Sequence, residues 1–196
     1  MIQLHRSPAP DFWTRKQVKK WTGRWLAKDC DSDRWAWPQF KKKGINKYAV
    51  EEMAVWHHNK CAFCETPLFS GREIEHFRSK TGHPLAAYVW RNLFLICRDC
   101  NQAKGDSDHE GCIKPDREDP EAYLWVNPIL LKIEPKPGIS DSYHQKAVET
   151  IGLYELDRPE LTNLYKYYRK LMSEGFGEGD ERPFSLMIES VSNYQS

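Results

Sequence analysis

Four cysteines in two pairs, Cys61/Cys64 and Cys97/Cys100, constrain this chain more than any other feature of it. A Cys-x-x-Cys turn brings two sulfurs close enough to share one tetrahedral metal, and two such turns complete an all-cysteine zinc site with no open position. Such a zinc is structural, because it has no vacancy for water or substrate. Thirty-two residues separate Cys64 from Cys97, so the ion would close a loop around everything between them. Paired this way, cysteines point to a metal site in a reducing compartment more than to disulfides. Cys30 and Cys112 are read as free thiols. The first residues, "MIQLHRSPAP", hold no signal-like apolar run, and no segment approaches bilayer-spanning length. The expected location is the cytoplasm, with no membrane partner.

Charge is unevenly spread. The formal net charge is +1, yet residues 1–60 carry 13 Lys/Arg against 6 Asp/Glu, and residues 61–196 carry 16 against 22. A basic N-terminal segment suggests a local polyanion contact, but without a motif a solvated helix face is the favoured reading. With 40% hydrophobic and 29% charged residues, the chain has the composition of an ordinary folded protein.

The pattern divides the chain into three regions: a basic, aromatic helical region at 1–60, a cysteine-bearing core at 61–115, and an irregular arm with helices at 116–196. The spacing of Phe12, Val18, Trp21 and Trp25 predicts a helix over 11–28, capped by Asp11, with Trp21 and Trp25 as core anchors. A second helix is expected over 46–58, joined to the first by a polar connection, "DCDSDRWAWPQFKKKG". Pro67 and Gly71 amid short β-prone runs predict a hairpin within "CETPLFSGREIEHFRSK". "NLFLIC" reads as a strand, and "NQAKG" can start a helix. Residues 119–138 are proline-punctuated and expected to be irregular. Helices are expected at "SYHQKAVETIGL" and after "DRPE", where Asp157 and Glu160 form a possible capping box. Leu161, Leu164, Tyr165, Tyr168 and Leu171 then line one face. A glycine-rich loop, "SEGFGEGDERP", and a last short helix, "FSLMIESVS", complete the chain.

Between the cysteine pairs, Glu75 stands directly before His76 in "EIEHF". Strand neighbours point to opposite faces, so the doublet alone decides nothing. Several chemistries are excluded by residue. A zinc deaminase needs His-x-Glu and Pro-Cys-x-x-Cys, but Lys60 precedes Cys61 and no His-x-Glu occurs. HExxH and Walker-type glycine loops are also missing, so nucleotide hydrolysis in this system would come from another chain.

Taken together, "CAFC", "EIEHF", "RNLFLIC" and "CRDCNQAKG" resemble an HNH endonuclease, most closely the HNH subunit of Septu-type and retron-associated anti-phage systems (PtuB-like). "ETIGLYELDRPELTNLYK" extends the likeness, which runs from about Trp56 to Met172. The resemblance implies an α+β fold: a ββα-metal (HNH) core clamped by a four-cysteine zinc site, with helical N- and C-terminal additions. It implies His76 as general base and Asn92 as the catalytic-site residue that steadies the hairpin loop and the base. Glu75 and Asn101 would be ligands of a catalytic Mg²⁺ or Mn²⁺, with Glu in place of the usual Asp and Asn in place of a frequent His. Arg78, Lys80 and Lys104 become candidate phosphate contacts, Lys104 with a catalytic role. His57, His58, His83 and His109 have no motif role and are read as structural or exposed, although His83 lies where a substrate could pass.

The activity this resemblance implies is metal-dependent hydrolysis of phosphodiester bonds, DNA being favoured over tRNA or other RNA, with 3′-hydroxyl and 5′-phosphate ends. The implied partners are nucleic acid and an ABC/SMC-like ATPase subunit (PtuA-like), with a retron reverse transcriptase and its RNA/DNA as a further one. A non-catalytic, zinc-stabilised nucleic-acid-binding adaptor is the competing class. It would need the cysteines and the basic segment but not Glu75, His76 or Asn101.

Overall fold

Apolar faces of an N-terminal helix pair and one wholly apolar strand set the core. The computed structural model describes residues 1, 3–107, 111–174 and 184. It is mixed α/β, and the strands of the described residues form three separate two-stranded antiparallel sheets.

The first helix, α1 (Arg15–Leu26), buries Trp21 and Trp25 as the spacing predicted. Its cap is Thr14, which accepts from the Gln17 N–H at 3.3 Å. Asp11 is displaced from that role because the chain turns first, with the Trp13 N–H bonded to the Pro10 carbonyl. The polar connection holds a small ribbon, β1 (Gln39–Phe40) with β2 (Lys43–Gly44). It leads into α2 (Ile45–Trp56), which buries Ile45, Ala49, Met53 and Trp56 on one face.

The hairpin forms elsewhere than the sequence suggested. β3 (Glu73–His76) pairs with β4 (Leu93–Ile96), not with residues upstream of Gly71. Residues 59–68 are drawn instead into the first cysteine turn, with a bridge between Lys60 and Pro67 and the Leu68 N–H bonded to Asn59 O. β4 explains the choice. All four of its residues are buried, and a strand apolar on both faces needs a long-range partner and a layer on each side. α2 packs against this ribbon, and α3 (Arg98–Lys104) follows β4 directly. Strand, strand and helix thus succeed one another around the cysteines.

The arm expected to be irregular contains a third ribbon, β5 (Leu124–Val126) with β6 (Ile133–Pro135). Its prolines sit where they cost no ladder bond, Pro128 in the connecting turn and Pro135 at a strand end. α4 (Asp141–Tyr154) and α5 (Pro159–Ser173) complete the described chain. Proline opens α5 as expected, but the cap position falls to Arg158, whose carbonyl accepts from Leu161 and Thr162. Leu161 and Tyr165 are buried and Leu164 and Tyr168 partly so. The expected glycine-rich loop, beyond Glu174, and the last helix, beyond Phe184, lie outside the described residues, as does His109.

Contacts cross both expected boundaries. The Trp13 indole donates to the Tyr88 carbonyl (2.8 Å) and the Trp25 indole to that of Lys80 (3.0 Å). Phe63, between the first two cysteines, stacks on Tyr154 of α4 at 3.7 Å. Arg6 lies over Trp56 and Phe94 and pairs with Asp116 at 2.6 Å. That basic residue serves packing rather than a polyanion.

Candidate metal centre and catalytic cavity

The four cysteines converge. Their sulfurs lie within 4.8 Å of one another, all four residues are buried, and none is in a disulfide. Cys64 and Cys97 approach to 3.6 Å, near the roughly 3.8 Å separation that tetrahedral zinc imposes on sulfurs about 2.3 Å from it. The donor set therefore fits one structural zinc. Cys97 also caps α3, accepting from the Cys100 N–H. Burial opposes a bare Cys64 thiolate, but hydrogen bonds from Cys100, Cys61, Cys97 and Thr66 together draw its pKa well below the ordinary thiol value. Arg158 donates to Cys100 Sγ at 3.5 Å and offsets part of the surplus charge that four thiolates would carry. Nothing in the sequence marked Arg158 for that position.

A cavity of about 310 Å³ opens beside this centre, lined by Trp35, Trp37, Glu75, His76, Asn101 and Lys104 among others. Glu75 and His76 leave β3 in opposite directions yet border the same space. Glu75 meets α3, with its Oε1 2.5 Å from Lys104 Nζ. The two form a buried ion pair. Burial pushes Glu75 up to about 7, the Lys104 charge opposing it. Lys104 holds this place because it ends α3: Gly105, at φ +55°, breaks the helix immediately after it.

His76 meets the opposite wall. Its Nε2 lies 2.9 Å from the Ala87 carbonyl. A carbonyl only accepts, so Nε2 carries the proton and Nδ1 keeps a lone pair. Burial, aided by the Lys80 charge, lowers the imidazole to about 3. Trp37 stacks on the ring at 5.5 Å and Trp35 meets it edge-on at 5.3 Å. Sequence reasoning missed these two tryptophans because they lie in a polar connection. The signal was "WAW", an aromatic pair at i and i+2 where nothing else called for burial.

Asn101 lies inside α3. Its Nδ2 donates to Glu73 Oε2 at 2.6 Å, leaving the amide oxygen as its remaining acceptor. Glu73 carries no motif signal, although i, i+2 spacing sets it on the face of β3 that carries Glu75. Asn92 stands behind the cavity. It accepts from the Arg78 N–H (2.8 Å) and donates to the carbonyls of Arg78 (2.9 Å) and Ala86 (3.2 Å). It thereby ties both ends of the 77–92 loop next to the carbonyl that orients His76. Lys80 borders the cavity and pairs with the exposed Asp106 at 3.4 Å. Arg78 is not among the lining groups. His57 is structural, accepting from the Leu95 N–H at 3.4 Å, and His58 and His83 play no part in the cavity.

Asn92→Ala removes three loop bonds, from the Arg78 N–H and to the carbonyls of Arg78 and Ala86. We expect a loss of about 2–4 kcal/mol in urea unfolding. A midpoint equal to wild type would show that the loop closes without Asn92.

No family model matches this chain. It is similar to the Septu protein PtuB of Bacillus thuringiensis, 33% identical over 117 residues, which cover 57% of this chain and 42% of that protein. The chain thus spans about two fifths of the relative's length. Among the described residues no helix is long and apolar enough to cross a membrane.

Proposed function

We propose, from the similarity to a Septu protein and the geometry around His76, that the chain is the HNH-type nuclease of an anti-phage defence complex. It would hydrolyse phosphodiester bonds in DNA and act with an ABC/SMC-like ATPase subunit. One observation carries the catalytic part: the His76–Ala87 bond fixes the tautomer, so a neutral imidazole with a lone pair on Nδ1 shares a cavity with Glu75, Asn101 and Lys104.

The donor chemistry suits a hard divalent cation, since Glu75 brings a carboxylate to the cavity and Asn101 retains its amide oxygen. Mg²⁺ or Mn²⁺ bound there would offset the charge of the phosphodiester and stabilise the departing oxygen. Lys104 pairs with the same Glu75 oxygen, so a cation held there would free its ammonium for the phosphate. His76 Nδ1 takes the proton of the attacking water. Oxygen bonds to phosphorus, the bond to the 3′-oxygen breaks, and that oxygen leaves as a 3′-hydroxyl by taking a proton from water, the imidazolium returning its own proton to solvent. Ala87 and Trp37 hold the imidazole in place through the step.

The test offers plasmid DNA and total tRNA to the purified chain, with and without its ATPase subunit, in Mg²⁺, Mn²⁺ or EDTA. Metal-dependent cutting of plasmid is expected. Cutting confined to tRNA would replace DNA with RNA. Intact substrates from folded, zinc-loaded protein with the partner present would favour the non-catalytic adaptor, particularly with salt-dependent binding.

A further inference from the structure

A second concavity, of about 880 Å³, lies between α1 and the 84–91 segment. Its walls are apolar and open to solvent: Leu26 is 43% exposed, Leu85 70% and Val89 38%. Scattered exposed apolar residues are ordinary, but here three converge on one groove. The charged groups that border it are of one sign, Arg15, Lys19 and Arg91. Apolar walls with a basic rim favour an occupant that is apolar in the middle and acidic at its edges.

We infer that this groove docks an amphipathic segment of a partner protein, apolar on the buried face and acidic along its flanks. The partner is the ATPase subunit, so the inference rests on the proposed function. Nucleic acid fits less well, because apolar walls gain nothing from phosphates. A symmetric pairing of two copies through this face would set Arg15, Lys19 and Arg91 against their own equivalents.

The groove is also joined to the cavity through the chain. Leu85 and Val89 bracket Ala86 and Ala87, whose carbonyls accept from Asn92 and from His76. A segment seated on Leu85 and Val89 therefore rests on the piece of backbone that orients the imidazole. This gives docking a route to the catalytic group that a contact elsewhere on the surface lacks.

The experiment titrates the purified full chain with the purified ATPase subunit by calorimetry, comparing wild type, Leu85→Glu, Lys19→Glu and Val55→Glu. Val55 is 75% exposed on α2 and serves as the remote control. Each groove variant is expected to weaken binding about tenfold or more, with Val55→Glu at wild-type affinity and zinc content unchanged in all. Wild-type binding that both groove variants retain would overturn the groove while leaving the partner standing. No binding by wild type would overturn the partner reading and the groove with it. Loss of self-association or of plasmid binding in the groove variants, with ATPase binding intact, would assign the face to a second copy or to nucleic acid and overturn the inference.

Discussion

His76→Ala is expected to lower metal-dependent cleavage by about 10²–10⁴-fold, the usual worth of a positioned base, with zinc content and unfolding midpoint near wild type. The imidazole contributes one bond, to the Ala87 carbonyl, and the loop beyond it is held independently by Asn92 and by the Trp13 and Trp25 indoles. Activity and folding should therefore separate in this variant. Wild-type cleavage rates would remove His76 from the mechanism.

The same residue gives a pH signature. Its folded pKa, about 3, lies below the ordinary histidine value of about 6.5. Burial of the neutral ring is thus without proton cost above that ordinary value, and stability falls as pH drops from there toward about 3. In zinc-loaded protein without Mg²⁺ or Mn²⁺ the His76 ring signals in NMR should stay fixed between about pH 8 and about pH 5. A midpoint near 6 would show that the ring is solvated.

Removing the zinc is the other large effect. Structural zinc contributes on the order of 10–16 kcal/mol in small domains, comparable to the roughly 5–15 kcal/mol that holds a whole domain together. Cys100→Ser, or chelation followed by Mg²⁺ without zinc, should abolish cooperative thermal unfolding in circular dichroism and cleavage together. The physical reason is that α3 begins on Cys97 and carries Asn101 and Lys104. Without the metal, its register against β3 is lost. A zinc-free protein that melts cooperatively at the wild-type temperature would reduce the cluster to a set of buried thiols.

Local features of this fold were legible and long-range ones were not. The cysteine spacing sufficed for the cluster, because a Cys-x-x-Cys turn is determined by adjacent residues. Trp21 and Trp25 were legible as core through helical periodicity, as was the buried face at Leu161 and Tyr165. The partner of β3 was not, since pairing Glu73–His76 with Leu93–Ile96 spans a sixteen-residue loop that no local pattern announces. The third ribbon was hidden by Pro128 and Pro135, which read as interruption rather than as a turn and a strand end. At the cavity, the motif supplied Glu75, His76 and Asn101. It was silent on Glu73 and on the aromatic wall, whose positions come from tertiary contact between a polar connection and a loop far along the chain.

The two indoles that grip the 77–92 loop bear on portability. Trp13 and Trp25 hold the carbonyls of Tyr88 and Lys80, while Trp35 and Trp37 wall the imidazole. All four come from the first 37 residues. Transplanting residues 61–104 into a foreign scaffold would carry all four clustered cysteines and every motif residue, yet deliver a histidine without its walls and a loop without its anchors. The motif between the cysteine pairs is a graft that travels only with its rootstock.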